Sequence, residues 1–173
     1  MRAAVSSDGG NAWAPPISLL PKALLTPERP LRALITAWAL AFLPSVVLGA
    51  AVTQLLPKLG QPELPVVNGL ALSLVVIMAP VVETLIMAAV LSLLLRLFPP
   101  TVAVVLSALG WGVAHSMAAP AWGLVIWWPF LIFSTLYVTW LKRSLLAAVA
   151  MPAAAHGLHN LLPAISLLMM HRN

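Results

Sequence analysis

The sequence predicts an all-α fold, a polytopic transmembrane bundle of about five spans. Three observations carry that reading. Hydrophobic residues make up 62% of the 173-residue chain and charged residues only 8%, against about 25% charged in soluble domains. The apolar residues are gathered into long stretches, each near or above the ~20 residues that cross a bilayer as a helix. Prolines and single basic residues punctuate these stretches at their ends.

Residues 1–30 read as a flexible cytoplasmic arm, followed by a membrane domain over 31–173. The arm holds the polar run Ser6-Ser7-Asp8-Gly9-Gly10-Asn11 and prolines at 15, 16, 21, 27 and 30. It lacks the continuous apolar core of a cleavable signal peptide. The first span runs from about Leu31 to Leu56 without an internal charge and ends at Pro57-Lys58. A loop through Gln61-Pro62-Glu63 leads to the second, from about Pro65 to Phe98. That stretch is longer than a bilayer requires, so it is tilted or broken, and Pro80 marks the break. The third span runs from Thr101 to about Met117, and Ala118-Ala119-Pro120 makes a tight turn. The fourth runs from Trp122 to Leu141 and stops at Lys142-Arg143, and the fifth from Ser144 to about Met170.

Basic residues divide unequally between the two ends of these spans. Arg2, Lys22, Arg29, Arg32, Arg96, Lys142 and Arg143 fall on one side, and Lys58 and Arg172 on the other. The positive-inside rule makes the first side cytoplasmic, N-in and C-out, as expected for a multi-pass protein of a bacterial inner membrane. The net charge of +5 follows these flanks, where anionic lipid is the expected counter-charge. No basic–aromatic alternation suggests nucleic acid. The absence of cysteine excludes disulfides, thiol nucleophiles and Cys-ligated metals.

Glu83 is the only formal charge between Leu64 and Leu95. An acid inside a span is costly unless paired or neutralised, which makes it a functional-site candidate by default. The downstream spans carry His115, then His156, His159 and Asn160, and almost nothing else ionisable. At 1.5 Å per helical residue, Glu83 and His156 each lie roughly 20 Å from the basic edge, and His115 roughly 22 Å. Three spans therefore bring polar groups to one layer. Glu83 suits a general base, with His115 as its partner in holding a water. His156 and Asn160, four apart on one helix face, suit donation to an oxyanion. His159 reads as a helix-packing group, Thr84 as a local hydrogen bonder, and Trp122, Trp127 and Trp128 as an interfacial belt. Gly110 and Gly112 are expected to admit a close helix approach.

These residues also carry a resemblance. Ala79-Pro80-Val81-Val82-Glu83-Thr84-Leu85-Ile86-Met87 resembles the first motif of the CPBP family, the CAAX-protease and bacteriocin-processing (Abi) intramembrane endopeptidases. Trp111-Gly112-Val113-Ala114-His115 resembles the second, and His156-Gly157-Leu158-His159-Asn160 the third, H-x-x-x-N. The resemblance implies a glutamate-dependent protease without metal or cofactor. Glu83 and His115 would activate water, and His156 and Asn160 would stabilise the oxyanion. The family's first motif has a second glutamate and an arginine where this chain has Thr84 and Ala88; losing both leaves neither as an unpaired buried charge. The implied substrate is a membrane or lipid-anchored protein, and the outward-leaning layer suits C-terminal sorting of exported proteins, as in the myxosortase type.

Two alternatives accompany this expectation. A zinc site from Glu83, His115, His156 and His159 is chemically allowed. A non-enzymatic protein, either a proton- or ion-coupled carrier or an immunity-type binding protein, also uses Glu–His pairs. No G-x-S-x-G, H-E-x-x-H or membrane aspartate pair supports another intramembrane protease.

Overall fold

A computed structural model describes residues 13–60 and 69–170. The sequence features at Arg2, at Asp8, in the Gln61-Pro62-Glu63 loop, at the expected start of the second span near Pro65 and at Arg172 lie outside them. Among the described residues the elements are helical, and five helices are long and apolar enough to cross a membrane. We label them α1 (Pro30–Leu55), α2 (Gly69–Leu97), α3 (Pro100–Ala118), α4 (Pro120–Leu141) and α5 (Leu145–Met170). The protein is thus an all-α polytopic bundle. Proline opens α1, α3 and α4, at the position where its missing N–H leaves no helical bond unmade.

The links from α2 to α5 are short, so successive helices run antiparallel. Phe98 and Pro99 join α2 to α3, Ala119 alone separates α3 from α4, and Lys142 to Ser144 lead into α5. Lys22, Arg29, Arg32, Arg96, Lys142 and Arg143 consequently gather at one end of the bundle, with Lys58 at the other.

α4 is the central helix. In its most apolar 18-residue window 67% of residues are buried, against 22–33% in the other four spans. Every residue from Pro129 to Trp140 is buried, the pattern of a helix surrounded by partners. α1 meets α4 and α5 through a stripe of small residues four apart, Ala33, Ala37, Ala41 and Ser45, which lets the backbones approach closely. Pro44 within α1 cannot supply the N–H that Leu40 carbonyl would accept. The Trp128 indole donates to that carbonyl instead, at 2.6 Å. Trp128 is therefore a bonded helix–helix contact.

The α3–α4 contact is the tightest in the bundle. A Cβ at Gly112 would meet the Trp127 Cβ at 3.0 Å, and one at Gly123 would collide with Ser116 and the Gly112 carbonyl. Gly112 has the close-approach role expected of it. Gly110 does not, having nothing within 4 Å.

The arm expected to be flexible is, over its described part, folded onto the bundle. Trp13, Ile17, Leu24 and Leu25 are buried in the same core as α4. Ala14 N–H donates to the Thr101 hydroxyl at 2.9 Å, and the helical turn Lys22–Leu25 contacts both α1 and α4. The prolines that suggested looseness bend this strap across the bundle end, while four large apolar side chains hold it there.

Candidate functional site

The site begins with a defect in α2. A proline at position 80 removes one N–H and crowds the carbonyl four residues earlier. The helix answers with a π-helical stretch, Leu74–Met78, directly before it. Ala79 N–H bonds the Leu74 carbonyl, five residues back, so the Val75 carbonyl has lost its α-helical donor. The expected break at Pro80 is thus a widened turn within a continuous helix.

α5 closes against this turn. Asn160 donates its side-chain N–H to the Val75 carbonyl at 3.0 Å. One turn earlier, Gly157 faces the Val76 carbonyl, and a Cβ there would lie 2.8 Å from that oxygen. One residue before Gly157, the His156 imidazole faces Glu83, with Nε2 3.9 Å from Oε2. That separation exceeds a direct hydrogen bond. His156 is 7% exposed and Glu83 27%, so the carboxylate is the accessible member of the pair. Neighbouring Thr84 is buried.

His115 approaches from α3. Its Nδ1 lies 2.9 Å from the Trp111 carbonyl. A carbonyl only accepts, so Nδ1 carries the hydrogen, and in the neutral ring Nε2 is left as an acceptor. The first residue of the expected aromatic–His motif thus fixes the tautomer of the last.

Sequence reasoning missed the groups that hold these rings. Phe130, on α4, lies against both His115 and His156, with centroids 5.8 and 5.4 Å away. Phe133, three residues on, stacks on His156 at 4.9 Å and meets the edge of His159 at 6.0 Å. Phe42 of α1 also contacts His159, with centroids 5.9 Å apart. Three of the four phenylalanines in the chain therefore line the histidines. The three-residue spacing of Phe130 and Phe133 was the available signal, since it puts both on one helix face. His159 sits among aromatic rings, as its helix-packing reading expected. The Nδ1 atoms of His156 and His159 are buried without a protein partner, and such atoms are ordinarily satisfied by internal water.

The structure thus brings Glu83 and His156 face to face and links His115 to them through Phe130. Asn160 stands on the same face of α5 but bonds the backbone upstream of Glu83. Among the described residues, no three His, Asp or Glu side chains converge as metal ligands, so the Glu83/His115/His156/His159 zinc alternative has no supporting arrangement. An open surface groove of about 610 Å³ lies elsewhere, between α1 and α4, lined by Leu43, Pro44, Val47, Leu48, Trp127 and Trp128. Its lining is wholly apolar, so it offers no group for chemistry. Compared with protein-family models, characterised proteins and solved structures, the chain matches none.

Proposed function

We propose that this protein is an intramembrane endopeptidase of the CPBP type, with Glu83 as its general base. One observation carries the reading: a part-exposed carboxylate facing a buried imidazole at 3.9 Å, midway along a membrane span. A merely structural acid would be expected to bond directly to its neighbour. This pair stands just beyond the distance of such a bond.

In this reading Glu83 takes a proton from a water, and the water oxygen attacks a peptide carbonyl carbon. The His115 Nε2 lone pair accepts the water's other hydrogen and orients it. His156 Nε2–H donates to the oxyanion. Asn160 has two amide hydrogens; one holds Val75, and the second is free for the same oxyanion. The proton on Glu83 then passes to the leaving nitrogen as the C–N bond breaks. Phe130 and Phe133 keep the imidazoles in register.

The proposed substrate is a transmembrane or membrane-proximal segment of an exported protein, cut toward its outer side. The corresponding orientation is N-in in a bacterial inner membrane, with the Lys22, Arg96 and Arg143 end cytoplasmic. Mass spectrometry of surface-protein C-termini from wild-type and Glu83→Gln cells tests the proposal. Anchors cut only in the wild type are the expected result. Identical C-termini in both strains would overturn it.

A further inference from the structure

The strap and the helix ends carry an unbalanced charge. The described residues include seven basic side chains, and six of them, Lys22, Arg29, Arg32, Arg96, Lys142 and Arg143, share one end of the bundle. Glu28 is the only acid described at that end. All six cations are exposed, and among the described residues none is in an ion pair.

Local helix stability accounts for only part of them: Arg96, Lys142 and Arg143 lie at helix C-terminal ends, where the dipole favours cations. Arg29 precedes α1 and Arg32 lies in its first turn, where the helix dipole disfavours positive charge. Their supports are nonetheless fixed. Lys22 opens the turn whose Leu24 and Leu25 are buried. The Arg143 guanidinium lies 5.8 Å over the Trp140 ring, itself buried. Cations on fixed supports, exposed, without internal counter-charge and level with the ends of membrane spans, are placed to attract an external anion at headgroup depth.

We infer that this rim is a binding surface for anionic phospholipid, with headgroup phosphates seated between the N-terminal strap and the α4–α5 turn. The occupant follows from charge and depth together. Basic residues at a membrane surface attract acidic lipid, and the attraction fades within a Debye length. The strap is then a lipid-contacting element, pinned on one side by Trp13 and Ile17 and on the other by the leaflet.

The test uses the full chain in nanodiscs of phosphatidylcholine with and without one quarter phosphatidylglycerol. Native mass spectrometry reads the lipids retained, and a thermal ramp reads the unfolding midpoint. Wild type should retain phosphatidylglycerol preferentially and unfold at a higher temperature when it is present, with both effects weakened at high salt. Replacing Lys22, Arg29, Arg32 or Lys142 by Gln should lower the preference by roughly fivefold per cation. Lys58→Gln, at the opposite end, should leave it intact. Single variants suffice, so the reading survives if a multiple variant fails to insert. Equal retention of the two lipids by wild type would overturn the inference, as would an equal effect of Lys58→Gln. Reproduction of the stabilisation by inorganic phosphate alone would assign the rim to free anions and overturn the lipid assignment.

Discussion

Gly157→Ala is the sharpest probe of the α2–α5 junction, because it adds one methyl group where the helices are closest. The new Cβ would lie 2.8 Å from the Val76 carbonyl oxygen, and ordinary contact begins at 3.4 Å. The obstacle is backbone, not a flexible side chain, so α5 must retreat by about 0.6 Å, the difference between those distances. Overpacking of this kind costs about 1–3 kcal/mol. The retreat also stretches the 3.0 Å Asn160–Val75 bond toward the limit of hydrogen bonding, at a cost of about 1 kcal/mol. Opposing this, Ala is favoured over Gly within a helix by about 1 kcal/mol. Net destabilisation of about 1–3 kcal/mol is expected. Gly110→Ala is the matched control, since nothing lies within 4 Å of its Cβ; there only the favourable part applies. Reversible unfolding in mixed detergent micelles measures both. Equal stability of Gly157→Ala and wild type would refute the close approach and, with it, the account of how Glu83 meets His156.

Three further outcomes follow from the same contacts. Trp128→Phe removes the donor to the Leu40 carbonyl and should cost about 1–3 kcal/mol; adding Pro44→Ala restores a backbone N–H to that carbonyl and should recover much of the loss, as a double-mutant cycle would reveal. Trp13→Ala should destabilise by about 3 kcal/mol if the strap is part of the core, whereas a free arm would leave the unfolding midpoint unmoved. Glu83→Gln should be at least as stable as wild type in the same micelle assay, because it removes a charge that the membrane disfavours; a loss above about 2 kcal/mol would mark Glu83 as structural.

The spans were legible because length, hydropathy and proline punctuation encode them directly. Their observed ends at Leu55, Leu97, Ala118 and Leu141 lie within a residue of those expected. The common depth of Glu83 and His156 was legible too, since rise per residue is constant. What the sequence concealed was azimuth. In a soluble helix the polar face reveals the buried one, but here lipid and core are both apolar. The spacing of Phe130 and Phe133 in α4 put them on one face, but nothing announced that this face, and not that of Leu124, would turn inward. Thus Asn160 reads as a site residue from its motif, while its bond to Val75 depends on a π-helical stretch that periodicity does not encode. Gly123 was missed for the same reason: its partner, Gly112, lies across the turn and not along the helix.

The single-residue link at Ala119 bears on how the chain assembles. α3 and α4 are joined by one residue and packed closely along their length, so they form one helical hairpin. Their contacts are local in sequence, and local contacts close fastest because little chain entropy is lost in forming them. The hairpin is thus the natural first tertiary unit, with the Gly112–Gly123 crossing as its seam. α1, which ends at Leu55, waits in the bilayer for a partner that begins only at Pro120, and α5 arrives to find its docking face already built. A substitution at Gly123 would accordingly register in the kinetics of assembly, slowing the earliest step on which every later helix depends.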